Sequence, residues 1–244
     1  MKNDYFSARS VGKGEYENAK LPHYFKEVLD STPKNARILD FGCGFGQILN
    51  AIKTQNFAWD SANKIGGGDY ELLGIDINDN AISHCKSLNI NAIKVDDILA
   101  FHPKEKFDLI ISTHCLEHLE KSQIIPILTH FREKLLKQNG KIFIAVPNAQ
   151  SATGCYWAYE DFTHNTLFTA GSLIFVLKMA GFSEVKIIDK DALAGSKGIK
   201  RVIKKICLAF YRRKITFWNI MTNSAFHAPS PQVFSYEVKA LAKK

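Results

Sequence analysis

The stretch ILDFGCGFGQIL, residues 38–49, decides the fold of this 244-residue chain. An apolar run typical of a buried strand ends at Asp40, and a helix-like segment begins a few residues later. Between them, glycine recurs at every second position: Gly42, Gly44 and Gly46. Glycines at this spacing let the backbone turn tightly and let a ligand approach, because no Cβ stands in the way. The stretch therefore predicts a strand–turn–helix unit with a ligand site at the turn.

Short aliphatic runs alternate with helix-length amphipathic segments along the rest of the chain, an order typical of an α/β fold with a parallel sheet. We predict strands at 37–41, 71–75, 92–95, 107–112, 140–146, 184–188 and 233–241, and helices at 19–30, 46–56, 79–88, 122–137, 171–180 and 198–212. The expected fold is a Rossmann-like, mostly parallel sheet of seven strands flanked by helices, with the last strand antiparallel. We expect one domain over 1–244, an N-terminal helical cap at 1–34, an enlarged loop at the glycine cluster 63–70, and a basic helical insertion at 193–230.

The composition argues for a folded protein inside the cell. With 46% hydrophobic and 11% aromatic residues, the chain can bury a substantial core. Its first residues lack the apolar core of a signal peptide, and no later run is long enough to span a bilayer, so a cytoplasmic location is expected. Five cysteines without paired spacing favour reduced thiols over a disulfide framework or a zinc ribbon.

The formal charge of +8 comes from one segment. Residues 195–214 contain eight lysines and arginines and no acid, and those eight account for the whole excess over the 24 acidic residues. The charge therefore does not by itself indicate nucleic acid as a partner. Apolar residues recur at helical spacing in the same segment, and they are Ile199, Val202, Ile203, Ile206 and Phe210.

This basic amphipathic helix leaves three roles open. It could lie on an anionic membrane, which would make the protein membrane-peripheral, or it could receive a lipid-linked or phosphorylated acceptor. Alternatively, it packs on the domain as a lid with its charge in water.

A second acid strengthens the prediction of a ligand site. The segment LLGIDIN (72–78) ends the next predicted strand with Asp76, where a carboxylate can accept hydrogen bonds from ribose hydroxyls. The glycine spacing lacks the last G-x-x-G of the dinucleotide fingerprint, and no phosphate-loop G-K-[ST] is present. With VDDIL (95–99), FDLIIS (107–112) and LLKQNGKIFIAVPN (135–148) following in order, the chain resembles the class I S-adenosylmethionine-dependent methyltransferases over roughly residues 35–190. A glycine-rich turn of a dehydrogenase is the alternative, and it would explain only the first motif.

The resemblance implies S-adenosylmethionine as cofactor. By that resemblance, the turn from Gly42 to Gly46 packs against its methionine part. Asp76 with Ile77 would hold the ribose and adenine, and Asp97 with Ile98 the adenine amino edge. The full set of cofactor residues expected in this way is Asp40, Gly42, Gly44, Gly46, Asp76, Ile77, Asp97, Ile98 and His114.

The segment THCLEHL (113–119) follows the fourth predicted strand and contains candidate catalytic residues. In a helix, His114, Glu117 and His118 would share one face. H-x-x-E-H is also the zinc pattern of one class of metalloproteases, an alternative that predicts zinc without S-adenosylmethionine. The strand before it and the motifs around it argue against that alternative. The E-H-L instead resembles the E-H-[LIV] of small-molecule methyltransferases, in which this segment lies beside the methyl group.

A divalent metal is the second possibility at this segment. In small-RNA 2'-O-methyltransferases and some ubiquinone-pathway O-methyltransferases, a longer E-x-x-E-H pattern binds a metal, in the RNA enzymes together with a distant histidine. Here His114 replaces the first glutamate, and neutral imidazoles favour softer metals than magnesium. The candidate ligands are His114, Glu117, His118 and His164. In the alternative without metal, Glu117 and His118 only fix the loop and a helix start.

The segment EDFTHNTLFT (160–169) resembles that of methyltransferases of bacterial surface-polysaccharide gene clusters. Methyl transfer to a hydroxyl requires alignment and the removal of one proton, and a histidine of near-neutral pKa suits that role. We therefore expect His164, with Glu117 and His118, to handle the acceptor proton, directly or through a metal. His164 could instead only cap the helix that Thr169 opens. Four neighbouring aromatic residues either line an acceptor pocket or belong to the core: Tyr156, Trp157, Tyr159 and Phe162.

The predicted function is O-methylation of a sugar, sugar nucleotide or glycan intermediate. Methylation of a quinone, lipid or RNA hydroxyl is the alternative within catalysis. The non-catalytic alternative is an inactive subunit that binds the cofactor and docks a partner through the basic helix.

Overall fold

The computed structural model describes residues 14, 17–59, 69–225 and 230–244. Much of the predicted N-terminal cap, residues 1–13 and 15–16, lies outside this part of the chain, as do residues 63–68 of the predicted glycine loop. The first described helix, α1, covers Phe25–Asp30 only, so the predicted helix 19–30 begins too early.

Strands and helices then alternate as the sequence predicts. In chain order they are β1 (Arg37–Phe41), α2 (Gln47–Lys53), β2 (Glu71–Asp76), α3 (Asp79–Ser87), β3 (Ala92–Lys94), β4 (Phe107–Thr113), α4 (Lys121–His130), β5 (Leu136–Pro147), α5 (Gly154–Glu160), α6 (Ala170–Met179), β6 (Ser183–Ile188), α7 (Gly198–Met221) and β7 (Glu237–Lys243). Short 3-10 turns cover Ile98–Ala100 and Leu116–His118, and a wider helical turn covers Phe131–Leu135.

The seven strands form one sheet in the order β3-β2-β1-β4-β5-β7-β6. Strand β1 pairs in parallel with β2 and β4, and β2 pairs in parallel with β3. Strands β6 and β7 pair antiparallel. The predicted Rossmann-like sheet of seven mostly parallel strands, with the last strand antiparallel, is confirmed.

The register of β1 and β2 brings the two sequence motifs to one edge of the sheet. Asp40 lies opposite Gly74 and Phe41 opposite Ile75, so the glycine turn after β1 and Asp76 at the end of β2 are neighbours. Ile38 and Leu39 of β1 are fully buried, as expected for a strand covered on both faces. The strand–turn–helix unit is thus fixed by core packing, and its carboxyl end is available for a ligand.

Two segment boundaries differ from the prediction for identifiable reasons. The helix predicted at 122–137 is α-helical to His130 and continues through the wider helical turn to Leu135, and β5 starts at Leu136, where the backbone becomes extended. Strand β7 begins at Glu237 rather than at 233, because the side-chain amide of Asn148 donates to the carbonyls of Val233 and Ser235 and holds that segment irregular.

The chain divides into two compact units. The first comprises residues 1–113, 130–142 and 244, and it contains the glycine turn and Asp76. The second comprises 114–129 and 143–243, and it contains the histidine-rich segments and α7. In the described ranges, every helix is too short or too polar to cross a bilayer.

Candidate active site

The glycine turn in the first unit has a backbone that only glycine adopts without strain. Gly42, Gly44 and Gly46 have φ angles of 73°, 52° and 79°, all in the left-handed region. A Cβ on Gly46 would lie 2.9 Å from Cys85 Sγ and from Ile90 Cδ1. The amide of Gly42 donates to the carbonyl of Ile75 at 2.9 Å, which ties the turn to the end of β2.

Asp76 joins this turn to the segment that follows β2. Its Oδ2 accepts a hydrogen bond from the Gly44 amide, and its Oδ1 accepts one from the Asn78 amide, each at 2.9 Å. The next residue, Ile77, is 70% exposed, which is unusual for a large apolar side chain beside a buried strand. An oriented carboxylate beside an exposed apolar side chain suits a ligand that combines hydroxyl groups with a flat apolar ring.

Asp40 is a buried carboxylate whose Oδ1 accepts no hydrogen bond. Burial and the nearby charge of Asp76 raise the pKa of Asp40 to about 7. A buried carboxylate with an unsatisfied oxygen is costly unless a cation or a proton neutralises it. S-adenosylmethionine has an ammonium and a sulfonium group, and its cationic end would satisfy Asp40.

The third predicted cofactor segment combines the exposed Asp97 with the buried Ile98. Asp97 caps the 3-10 turn, since its Oδ1 accepts from the Leu99 amide at 2.9 Å, and Ile98 is buried. Leu99 is the exposed apolar residue there, and the sequence reasoning assigned it no role. The glycine turn, Asp76, Ile77 and Asp40 therefore fit S-adenosylmethionine, whereas Ile98 supports the site from within the core.

The histidine-rich segment lies in the second unit and is not the helix that the spacing suggested. His114 has a φ of 50°, and only Leu116–His118 form a turn, so His114 does not share a helical face with Glu117 and His118. The His114 amide donates to the Ala145 carbonyl at 2.9 Å, which extends the sheet pairing by one residue and prevents an earlier helix start.

The backbone brings the two predicted motifs together. The amides of Asn165 and Thr166 donate to the Glu117 carbonyl at 2.8 and 3.1 Å, and the Asn165 side chain donates to the His118 carbonyl at 2.8 Å. As a result, ligand atoms of Glu117, His118 and His164 lie within 4.8 Å of one another. His114 is not part of this group.

His164 is oriented by a hydrogen bond from its Nδ1–H to the Trp157 carbonyl, at 2.7 Å. The opposite ring nitrogen, Nε2, lies 3.9 Å from Glu117 Oε1 and 3.8 Å from Asp161 Oδ2. Glu117 is fully buried and neither of its oxygens accepts a hydrogen bond, although His114 Nδ1 lies 3.4 Å from Oε1. The group therefore presents a buried negative charge that a proton or a metal ion would stabilise.

His118 belongs to a chain of three side chains. The Thr163 hydroxyl donates to Asp161 Oδ1 at 2.6 Å, so its oxygen accepts at His118 Nδ1, 2.8 Å away. This fixes the proton of the neutral imidazole on Nδ1 and the lone pair on Nε2. Burial lowers the pKa of His118 below the usual histidine value, outweighing the nearby charge of Glu117, so the ring is neutral at pH 7.

His114 instead forms ion pairs with two buried carboxylates. Its Nε2 lies 2.8 Å from Glu237 Oε1, and its Nδ1 lies 3.4 Å from Glu117 Oε1. Burial lowers the pKa of His114, but Glu117 and Glu237 outweigh it and raise the pKa to about 10. His114 is therefore a cation at neutral pH, and its charge partly balances Glu117.

Three residues that contact the histidines of this site were not predicted from the sequence. Glu237 offered a weak signal, a single carboxylate within the apolar alternation of the last strand. Asp161 and Thr163 stand inside the quoted motif at 160–169, but their roles depend on how the loop folds over Glu117 and His118.

The aromatic residues near this cluster are largely exposed. Tyr159 is 79% and Phe162 98% exposed, and Tyr156 is also exposed. Trp157 is half-buried and meets the Tyr156 ring edge-on, with ring centroids 5.1 Å apart. None of the four is fully buried, so the prediction that they belong to the core is wrong.

The seven-stranded sheet and the glycine turn form a fold that this chain shares with solved S-adenosylmethionine-dependent methyltransferases. A family model described as a methyltransferase domain matches residues 14–187, so the chain belongs to the methyltransferase-domain family. S-adenosylmethionine is the cofactor that this membership and the geometry of the turn support.

A relative with some sequence similarity is a (S)-coclaurine N-methyltransferase from Papaver somniferum, 26% identical over 175 residues. The match covers 69% of this chain and 46% of that protein, so the chain spans about half of its length.

Solved structures share the fold. An S-adenosylmethionine-dependent methyltransferase from Archaeoglobus fulgidus has a TM-score of 0.64 at 22% identity, with 99% of this chain and 100% of that one covered. A putative methyltransferase solved with the Haloferax volcanii Trm112 activator has a TM-score of 0.61 at 14% identity, with 100% and 99% covered. Phosphoethanolamine N-methyltransferase 2 from Haemonchus contortus, in complex with S-adenosylmethionine, has a TM-score of 0.52 at 15% identity, with 89% and 50% covered.

Proposed function

We propose that this protein transfers a methyl group from S-adenosylmethionine to a hydroxyl of a sugar, sugar nucleotide or glycan intermediate. The observation that carries the proposal is the His118–Thr163–Asp161 chain, which prepares a neutral imidazole with a fixed tautomer. A hydroxyl acceptor must lose a proton as the new bond forms, and a histidine of this kind is the base such a reaction needs.

The residues of the first unit would bind the cofactor. Gly42, Gly44 and Gly46 allow close approach to the backbone, Asp40 meets the cationic end, and Asp76 with Ile77 receives the ribose and adenine. Bound S-adenosylmethionine supplies an electrophilic methyl group on sulfonium. Transfer of that methyl group to the acceptor oxygen would leave S-adenosylhomocysteine as the second product.

The residues of the second unit would receive the proton. His118 Nε2 takes it, while Thr163 and Asp161 hold the ring and stabilise its charged form from the Nδ1 side. Glu117 stabilises the same positive charge, because its buried carboxylate accepts no hydrogen bond and His114 balances its charge only in part. His164, the base expected from the sequence, lies closer to carboxylate oxygens and would orient Glu117 and the acceptor.

The exposed aromatic residues support a sugar acceptor. Tyr159 and Phe162 are exposed aromatic residues in the segment that leads to His164, and aromatic rings together with hydrogen-bonding groups suit the apolar and polar faces of a pyranose ring. The poppy relative is named as an N-methyltransferase, so an amine is the acceptor to be tested against a hydroxyl.

A metal-assisted version of the same reaction is the second candidate. Glu117, His118 and His164 form a two-histidine, one-carboxylate set, and both histidines have their Nδ1 atoms held by oxygen partners, as metal-bound histidines usually do. Such a set suits Zn²⁺, Mn²⁺ or Fe²⁺ better than Mg²⁺. The metal would lower the pKa of the acceptor hydroxyl.

Two measurements test the proposal. Isothermal titration should detect S-adenosylmethionine binding, and the absence of binding at high micromolar cofactor would reject the enzyme class. Release of S-adenosylhomocysteine over a panel of glycans, nucleotide sugars and amines should then identify the acceptor. An amine as the sole substrate would reject O-methylation.

The base is tested by His118→Gln, which should keep cofactor affinity and lower kcat by about a hundredfold or more. His23→Gln is the matched control, since it makes the same change in the other compact unit. Activity that survives chelation in a protein shown to be metal-free would exclude the metal-assisted route.

A further inference from the structure

Helix α7 exposes its apolar side chains, whereas an ordinary surface helix turns them towards the core. Its 24 residues include none that is buried, although nine of its exposed side chains are large and apolar. Ile199 is 80% and Phe210 64% exposed. An amphipathic helix of a globular protein normally turns its apolar face to the core, so the apolar face of α7 requires another explanation.

The contacts of α7 with its own unit come from one narrow side. Its less exposed residues recur every three or four positions, and they are Lys204, Leu208, Tyr211, Ile215 and Asn219. Lys204 donates to the Ala192 carbonyl at 3.0 Å, and the Tyr211 ring meets Phe234 edge-on at 5.6 Å. Nearby, Arg212 forms an ion pair with Asp191 at 2.6 Å. The side of the helix that rests on the unit is therefore the side of these residues.

The apolar residues lie on the other side. With 3.6 residues per turn, most of the exposed apolar side chains fall on the face opposite this attached stripe. That face consists of Ile199, Val202, Ile203, Ile206, Phe210, Phe217, Ile220 and Met221. The helix thus turns an apolar surface about 33 Å long away from its own unit, interrupted by the exposed Arg213 between Phe210 and Phe217.

Positive charge borders this apolar face on both edges. Lys200 and Lys214 lie along one edge and Lys205 along the other, and all three are exposed. The sequence contains no aspartate or glutamate from residue 192 to residue 236. Trp218, also exposed, adds an amphipathic ring of the kind found at membrane interfaces.

We propose that α7 docks the protein on an anionic lipid bilayer, with its apolar face in the headgroup–acyl boundary and its lysines on lipid phosphates. A bilayer satisfies both properties of the helix, because it offers an apolar interior beneath a negative surface. A second copy of the chain would satisfy the apolar face, but it would bring two clusters of positive charge together. Nucleic acid would satisfy the charge and leave the aliphatic face exposed.

Vesicle co-sedimentation of the full chain tests this docking. The protein should bind phosphatidylcholine vesicles containing about a third phosphatidylglycerol, bind pure phosphatidylcholine far more weakly, and dissociate as salt is raised. Failure to bind the anionic vesicles at low salt would overturn the proposal. The assay needs neither cofactor nor acceptor, so its outcome is independent of the proposed catalytic function.

The apolar contribution is isolated by changes that leave the net charge constant. Ile206→Ser with Phe210→Ser should weaken vesicle binding by about a hundredfold, because two inserted side chains lose their apolar burial. The matched control is Phe175→Ser with Met179→Ser, which removes two exposed apolar side chains from α6. Equal binding by the wild type and the α7 variant would overturn the proposal.

The electrostatic contribution is isolated in the same way. Replacing Lys200, Lys205 and Lys214 by glutamine should weaken binding to anionic vesicles by about a hundredfold, since each lysine near the surface contributes to the attraction. The control replaces three exposed lysines elsewhere by glutamine: Lys86, Lys104 and Lys121.

Two further outcomes identify the competing occupants. Sedimentation velocity that shows a dimer abolished by Ile206→Ser with Phe210→Ser would assign the apolar face to a second copy and overturn the proposal. Tight binding to oligonucleotides that is insensitive to the same two changes, without binding to vesicles, would assign the helix to nucleic acid instead. Circular dichroism of each variant should match the wild type, because all the substituted side chains are exposed.

Discussion

Cofactor affinity should rise with pH between 6 and 8, and Asp40 is the reason. Burial and the charge of Asp76 raise the pKa of Asp40 to about 7, so the carboxyl is mostly protonated at pH 6 without ligand. The cationic end of S-adenosylmethionine favours the ionised form, and the proton must leave for the cofactor to bind well. The affinity for the cofactor therefore increases with pH, because binding releases a proton from Asp40.

The magnitude follows from the fraction of protein that is ionised. With a pKa of about 7, about a tenth of Asp40 is ionised at pH 6 and about nine tenths at pH 8. Since the apparent Kd equals the intrinsic Kd divided by the competent fraction, it should fall about tenfold over that interval. At pH 7 about half a proton should be released per cofactor bound.

Isothermal titration measures both quantities. Titrations at pH 6, 7 and 8 give the affinities, and repeating the pH 7 titration in two buffers of different ionisation enthalpy gives the proton count. The matched control is Asp40→Asn, which keeps the shape of the side chain but cannot ionise. Its affinity should not change with pH and should lie below that of the wild type, by a factor that grows about tenfold from pH 6 to pH 8.

Two results would refute the assignment. One is an affinity that does not change between pH 6 and 8. The other is a tenfold rise that persists in Asp40→Asn, which would place the titrating group elsewhere. The ammonium of the cofactor cannot mimic the effect, because losing its proton as pH rises would weaken binding.

Three further predictions concern the turn, the ion-paired His114 and the aromatic surface. Gly46→Ala should destabilise the protein by about 1–3 kcal/mol more than Gly198→Ala in urea unfolding, because both have positive φ but only Gly46 is crowded; equal losses would contradict this. The folded-state pKa of His114 is about 10, above its ordinary value of 6.5, so its stabilisation is fully present below 6.5 and disappears as pH rises towards 10. The melting temperature should therefore fall over that range in the wild type, and a slope of the same size in His114→Gln would disprove the assignment. Tyr159→Ala and Phe162→Ala should raise KM for the acceptor and leave cofactor affinity unchanged, and an unaltered KM would remove the aromatic surface from acceptor binding.

The turn and its acid could be predicted because they depend on local rules. The spacing of Gly42, Gly44 and Gly46 requires left-handed backbone at neighbouring positions, and parallel strands place the acid Asp76 at the same edge. The contact between His114 and Glu237 could not be predicted in this way, since it joins residues 123 positions apart. It depends on β7 inserting between β5 and β6, which no periodic pattern specifies.

The same limit applies to α7. Helical spacing predicts that Ile206 and Phe210 share one face, and the structure agrees. Spacing alone does not determine what that face contacts, because an amphipathic pattern is identical for a helix on a core and a helix on a membrane. The direction in which the apolar face points is determined by the opposite side of the helix, where Lys204 and Tyr211 contact the second unit.

Thr163 distinguishes the two mechanisms available to the histidine cluster, because His118 Nε2 cannot accept a proton and bind a metal at the same time. If His118 is the base, Thr163→Val removes a link to Asp161 that stabilises the protonated ring. The pKa of His118 then falls, kcat drops, and the acid limb of the pH profile moves to lower pH, with no response to added Zn²⁺ or Mn²⁺.

If His118 is a metal ligand, the same change loosens its orientation. Metal affinity then falls by about 10–100-fold, and excess metal restores the rate. Thr163→Ser keeps the hydroxyl and should behave like the wild type under both mechanisms. Normal kcat, pH profile and metal affinity in Thr163→Val would remove the chain from catalysis altogether, and the neutral imidazole of His118 would then need another explanation.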